Sequence, residues 1–267
     1  MSYRAFFGFA REPFTANIEL DGILQTPELL AVNQRVEYAI RLGGIGLLTG
    51  EVGAGKSTAL RWVAGKLHPS KYKVLWVTAT AGSILEVYRQ LLAELDIQTA
   101  SSSRAVLTRQ IKSQIENLVV TKKQQPLLII DEASLLRLDV FTELHTLTQY
   151  QGDSKPWLPI ILAGQNNLAD NLLYRTAIPL ASRIIARSHL EAVNRQGMEA
   201  YLLHHLNIAG LKNNPFEEQA VTAVHQGSGG LFRKANHLAR GALIAAAGNK
   251  VQIVTADHVR TADSELL

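Results

Sequence analysis

Gly50-Glu51-Val52-Gly53-Ala54-Gly55-Lys56-Ser57 conforms to G-x-x-x-x-G-K-[ST], the spacing of a loop that wraps the phosphates of a nucleoside triphosphate. Its flanks are those the chemistry needs. Ile45 to Thr49 is a short apolar run of strand type, and Thr58 to Leu67 reads as the helix that follows. Glycines permit the tight turn that aims backbone N–H groups at phosphate oxygens. The helix adds its own unpaired N–H groups and the positive end of its dipole. On this reading Gly50, Glu51, Val52, Gly53, Ala54, Gly55 and Thr58 belong to the cradle for ATP. Lys56 reaches the β/γ-phosphates, and the Ser57 hydroxyl takes a place on Mg²⁺.

Working outward, apolar patterning predicts an α/β parallel sheet. Lys73 to Thr78 reads as a second strand and Ser83 to Leu95 as a helix. Arg104 to Val120 is another helix, whose Arg104, Arg109 and Lys112 lie opposite an apolar stripe and read as a solvated basic face. Pro126 to Glu132 is continuously apolar before two acids, the pattern of a central parallel strand buried on both faces. Leu138 to Tyr150 follows as a helix, then strands over Leu158 to Gln165 and Ile184 to Leu190. From Asn194 the strands stop, and helices are expected over Gln196 to Ile208, Phe216 to His225, Leu231 to Ala247 and Thr255 to Glu265. At the other end Phe6, Phe7, Phe9 and Phe14 crowd together. Thr26-Pro27-Glu28 then starts a helix that runs to Arg41 and stops at Gly43-Gly44. Three segments result: 1–44, an aromatic segment and helix packing on the core; 45–193, an α/β nucleotide-binding core; and 194–267, a helical lid.

Asp131-Glu132 supplies the second half of the candidate site. Two ionisable side chains straight after buried apolar residues are costly without a purpose. A strand-end Asp131 can hold Mg²⁺, and Glu132 can polarise the water that attacks the γ-phosphate. Asp131 lies 75 positions beyond Lys56 (131 against 56), room for two intervening strands with crossover helices. Gln165 ends the next strand, where it can touch the γ-phosphate or the water. Arg183, just before the last strand, is a candidate arginine finger acting in a neighbouring subunit, with Arg175 and Arg187 as rivals. Arg233 opens a helix of the C-terminal segment, from which it can reach over the triphosphate.

Bulk properties narrow the class. The 267 residues are 47% hydrophobic with mean hydropathy +0.04, as in a globular protein with a proper core. No apolar run approaches the ~20 residues that span a bilayer, and MSYRAFFGFAREPF lacks the pattern of a signal peptide. There is no cysteine, so disulfides and thiolate metal sites are excluded and a cytoplasmic location is expected. Eight histidines form no metal-ligand spacing. A net charge of +4 and a pI near 9.3 permit nucleic-acid binding through phosphate neutralisation.

The order of these parts resembles an AAA+ ATPase with its helical lid and, more narrowly, the ExeA-type ATPases. The resemblance rests on Phe6-Phe7-Gly8-Phe9 with Pro13-Phe14, on Leu48-Thr49-Gly50-Glu51-Val52-Gly53, and on Ala163-Gly164-Gln165. Arg183-Ile184-Ile185-Ala186-Arg187 and Gly230-Leu231-Phe232-Arg233-Lys234-Ala235-Asn236 complete it, with Phe232 standing where the family usually has Pro. The resemblance implies Walker A roles for Lys56 and Ser57, a Walker B pair in Asp131 and Glu132, sensor one in Gln165, the finger in Arg183 and sensor two in Arg233. It also implies a ring or filament with ATP between subunits. ExeA-like modules are similar to the TniB/TnsC and MuB/IstB regulators of DNA transposition. That similarity implies assembly on double-stranded DNA and recruitment or activation of a transposase. The alternative is an ExeA-like secretion ATPase that assists envelope secretin assembly. The chain ends at Leu267 after the lid, without a membrane helix or room for a peptidoglycan-binding domain. With the basic pI this favours the transposition reading, without membrane insertion.

Overall fold

In the computed structural model, which describes residues 2–151 and 157–265, the apolar run before Asp131 lies inside a five-stranded parallel sheet. In chain order the elements are α1 (Tyr3–Phe7), α2 (Pro27–Leu42), β1 (Ile45–Gly50), α3 (Lys56–Lys66), β2 (Tyr72–Thr78), α4 (Ile84–Glu94), α5 (Arg104–Glu116) and β3 (Gln125–Asp131). They continue with α6 (Leu138–Thr148), β4 (Ile160–Gly164), α7 (Asn167–Asn171), α8 (Ile178–Ala181) and β5 (Ile184–Leu190). Four helices close the chain: α9 (Arg195–Ile208), α10 (Glu218–Ser228), α11 (Phe232–Gly248) and α12 (Ala256–Ser264). Among the described residues no helix is long and apolar enough to cross a membrane.

The chain divides into two compact units. The first comprises Thr26–Gly50 and Lys56–Leu190 and holds the sheet, in the order β2-β3-β4-β1-β5. Burial follows position. β1, β3 and β4 are interior strands and almost wholly buried, whereas edge strand β5 alternates buried and exposed residues. Helix α2 begins as its residues dictate: Thr26 Oγ1 accepts the Leu29 N–H at 3.2 Å, Pro27 sits in the first turn, and the helix closes at Gly43. Between α3 and β3 only one strand intervenes in sequence, β2, where spacing allowed two. The remaining length went into α4, α5 and a π-helical turn at Asn117–Thr121. Helices α7 and α8, and a 3₁₀ turn at Ala133–Leu135, are each too short to carry a periodic apolar signal.

The second unit comprises the residues up to Gln25, Glu51–Gly55, and those from Glu191 onward. Here the expectation for the N-terminal aromatics is corrected. Phe7, Phe9 and Phe14 are buried not on the sheet but among Met198, Leu202 and Leu206 and the apolar faces of α10 to α12. Only α2, from the same N-terminal stretch, joins the sheet unit. Phe14 stacks on His205 with ring centroids 5.6 Å apart, His205 meets Tyr201 at 4.4 Å, and Tyr201 meets Phe232 at 4.4 Å.

Burial, with a smaller contribution from neighbouring His204, pushes the His205 imidazole down to about 4 from its ordinary 6.5. The folded state therefore holds this ring neutral in a range where the unfolded chain protonates it. The stabilisation is complete above pH 6.5 and is lost as pH falls from there toward 4, at up to about 1.4 kcal/mol per pH unit. Thermal unfolding across that window is expected to show the decline, and a His205→Leu variant to have a shallower one by about one proton's worth.

Candidate functional site

Parallel pairing brings the carboxyl ends of β1, β4 and β3 side by side, with β4 in the middle. Thr49 aligns with Gly164, and Ile130 with Leu162. At the usual strand spacing, Gly50 and Asp131 stand roughly 10 Å apart across the end of β4. Lys56, the first residue of α3, is buried, and its Nζ donates to the Gly50 carbonyl at 2.9 Å. The lysine ammonium thus sits at the mouth of the loop it closes. Ser57 follows, exposed, and Thr58 is half-buried.

Within the loop, the Ala54 N–H donates to the Glu51 carbonyl at 3.2 Å, and Gly53 and Gly55 have φ of 88° and 97°. Gly53 also needs its missing side chain. The Arg233 N–H donates to the Gly53 carbonyl at 3.3 Å, and a Cβ on Gly53 would lie 2.9 Å from the Arg233 Cβ. Arg233 is therefore held against the loop's backbone. Phe232, beside it, packs against Gly55 in the same way, at 3.4 Å from where a Cβ would stand.

Asp131 is buried at the end of β3, and its Oδ1 accepts the Glu132 N–H at 2.9 Å. Glu132 then turns the chain sharply, with φ 55° and ψ 31°, the left-handed region that a side chain rarely adopts. Strain of this kind at a strand-end acid is typical of functional positions. The half-buried Glu132 leads into the 3₁₀ turn, where the Leu135 N–H donates to its carbonyl at 2.9 Å.

That turn carries a residue which sequence reasoning did not single out. The buried Ser134 Oγ accepts the Gln165 N–H at 3.3 Å and ties the end of β4 to the segment that follows Glu132. The approach is close enough to require Gly164, where a Cβ would fall 2.8 Å from the Ser134 N. Gln165 is thus fixed next to the Asp131-Glu132 pair. On the other flank Thr49 Oγ1 lies 2.9 Å from His189 Nδ1, linking the ends of β1 and β5. Neither Ser134 nor His189 has a local motif that would have announced it.

The arginines divide differently. Arg183 stands at the start of β5, its carbonyl accepting the Ile45 N–H at 2.9 Å. It is therefore at the opposite end of the strands from Gly50, roughly 17 Å away along their direction. Its side chain is half-buried, whereas Arg175 and Arg187 are exposed. By register neither Arg183 nor Arg187 stands at the strand end that carries Gly50 and Asp131.

The donors Ser57 hydroxyl and Asp131 carboxylate are hard oxygens, the type Mg²⁺ prefers. Among the described residues no group of three His, Cys, Asp or Glu could hold a metal. An ion at this position would take most of its shell from phosphate oxygens and water, as Mg²⁺ characteristically does. When bound, it would neutralise charge on the phosphates.

Residues 40–172 match the family described as AAA domain. General secretion pathway protein A of Aeromonas hydrophila is 30% identical over 254 residues, which cover 91% of this chain and 45% of that protein. The chain spans less than half the length of that curated relative. Among solved structures, Cdc6p from Pyrobaculum aerophilum superposes with a TM-score of 0.74 at 16% identity, over 95% of this chain and 70% of that one. The Aeropyrum pernix ORC2 protein gives 0.67 at 18% identity, over 94% and 71%. The Thermotoga maritima RuvB Holliday junction branch migration motor gives 0.58 at 17%, over 91% and 70%. At these identities the structures report the fold.

Proposed function

With residues 40–172 an AAA domain on a P-loop ATPase fold, we propose that this ATP-hydrolysing enzyme is a self-assembling nucleotide switch that works on DNA. The observation that supports the site is that Gly50, whose carbonyl Lys56 meets, Gln165 and the Asp131-Glu132 pair stand at neighbouring strand ends. Lys56 and the loop amides bind the β/γ-phosphates, and Ser57 and Asp131 would hold Mg²⁺. Glu132 accepts a proton from the water that attacks the γ-phosphorus, and ADP leaves with inorganic phosphate as the second product. Gln165 orients that water. Arg233, whose N–H donates to the Gly53 carbonyl of the loop, is the sensor-two candidate. Arg183, remote from the site on its own chain, serves as the finger in a neighbour's.

The DNA reading draws on the pI near 9.3 and on the fold it shares with Aeropyrum pernix ORC1 in complex with DNA (TM-score 0.68, 16% identity). Its finer form is a transposition regulator that recruits or activates a transposase. A second reading, a secretion ATPase assisting secretin assembly, is favoured by the 30% identity to General secretion pathway protein A. Sedimentation and electron microscopy with a non-hydrolysable ATP analogue, with and without duplex DNA, separate the two. Rings or filaments that require both ATP and duplex are the expected result. Assembly indifferent to DNA, with no salt-dependent duplex binding, would overturn the DNA reading in favour of secretion.

A further inference from the structure

The basic face of α5 is not simply solvated. It forms one wall of a groove of about 750 Å³ in the sheet unit, whose other wall is Tyr150 and Trp157. The two rings are stacked, with centroids 4.1 Å apart and planes at 14°. Trp157 is buried, and its Nε1 donates to the Leu147 carbonyl at 3.1 Å, so the indole is a fixed backing. Tyr150 is half-buried against it, and its hydroxyl donates to Glu116 Oε1 at 2.6 Å. That bond occupies one oxygen of Glu116, the only carboxylate among the described residues of the lining, and locks the ring at the groove wall.

The cations are unequally committed. Arg104 pairs with Glu143 at 2.5 Å. Arg109 and Lys112 have no partner among the described residues, and three residues apart they project to the same side of the helix. Two unpaired cations beside a braced aromatic ring are the recognition chemistry of an unpaired nucleic-acid strand, whose phosphates need charge and whose bases need a stacking face. An acidic peptide would use the same cations but has no need of a ring held against a buried indole.

We propose that this groove binds single-stranded nucleic acid, with backbone phosphates on Arg109 and Lys112 and an unpaired base on Tyr150. The proposal deepens the DNA reading above by adding a single-strand contact distinct from duplex-dependent assembly. Fluorescence anisotropy with a labelled oligodeoxyadenylate of about 16 nucleotides and a duplex of the same length tests it on the full chain. Tyr150→Leu is expected to weaken single-strand binding about five- to a hundredfold and to leave duplex binding unchanged. Tyr150→Phe keeps the ring and is expected to bind within about threefold of the parent.

The double variant Arg109→Ala/Lys112→Ala removes one exposed and one half-buried side chain from a helix that alanine favours. It should reduce the slope of log affinity against log salt by about 1.4, two phosphates at ~0.7 each. Parental single-strand affinity in both Tyr150→Leu and the double variant would overturn the proposal. So would displacement of the oligomer by polyglutamate as readily as by unlabelled oligodeoxyadenylate. Failure of ATP-dependent assembly on duplex, with single-strand binding and its dependence on these residues intact, would instead remove only the duplex reading.

Discussion

Lys56→Ala is expected to lower the affinity for ATP by at least about two orders of magnitude. The side chain is buried at the start of α3, and its ammonium donates to the Gly50 carbonyl, so it spans the loop it closes. A hydrogen bond to a charged group is worth about 1.5–3 kcal/mol, and a lysine that serves both the β- and γ-phosphates makes more than one such contact. Truncation also leaves the Gly50 carbonyl without this donor. Helix α3 and its dipole survive, because alanine is the best helix former. The loss should therefore be one of binding and not of folding. Titration calorimetry with ATP, alongside a thermal melt, reads both quantities. Affinity within about threefold of the parent would mean that Lys56 does not face the phosphates.

How much of this was legible in the residues differs by element. The phosphate loop was, because its glycines answer a steric demand at fixed spacing, and the structure shows that demand twice over at Gly53, in a φ of 88° and in the contact with Arg233. β3 was legible from its unbroken apolar run, which only an interior parallel strand requires. The strand order was not, since nothing in β4's residues says that it inserts between β3 and β1. The aromatics Phe7, Phe9 and Phe14 announced burial but not the surface that buries them. Two apolar surfaces were available, and composition cannot choose between the sheet and the helical unit. Ser134 escaped notice because a serine in a short turn has no signature until Gly164 is seen pressed against it. Tyr150 and Trp157 lie seven positions apart and outside any helix or strand, so neither periodicity nor motif could pair the two rings.

Glu132→Gln is expected to slow ATP turnover at least a hundredfold while changing ATP affinity by less than about threefold. Glutamine keeps the size and backbone preference of glutamate but cannot take the proton of the attacking water, a contribution generally worth 10²–10⁴ in rate. Asp131, the Mg²⁺ candidate, is untouched, so the triphosphate should stay bound and the assembled state accumulate with ATP itself. A second substitution isolates the role of the backbone. Glu132 holds φ at 55°, a conformation that costs a side chain roughly 1–2 kcal/mol and costs glycine none of that steric penalty. Glu132→Gly should therefore be inactive in turnover yet about 1 kcal/mol more stable than Glu132→Gln, after allowance for the greater chain entropy of glycine. Coupled-enzyme ATPase assays and chemical denaturation measure the pair. Turnover near parental in Glu132→Gln would remove Glu132 as the base. Inactive variants with Glu132→Gly the less stable would place the left-handed turn among ordinary features of the fold, whereas the expected order means that stability is sacrificed there to aim a carboxylate.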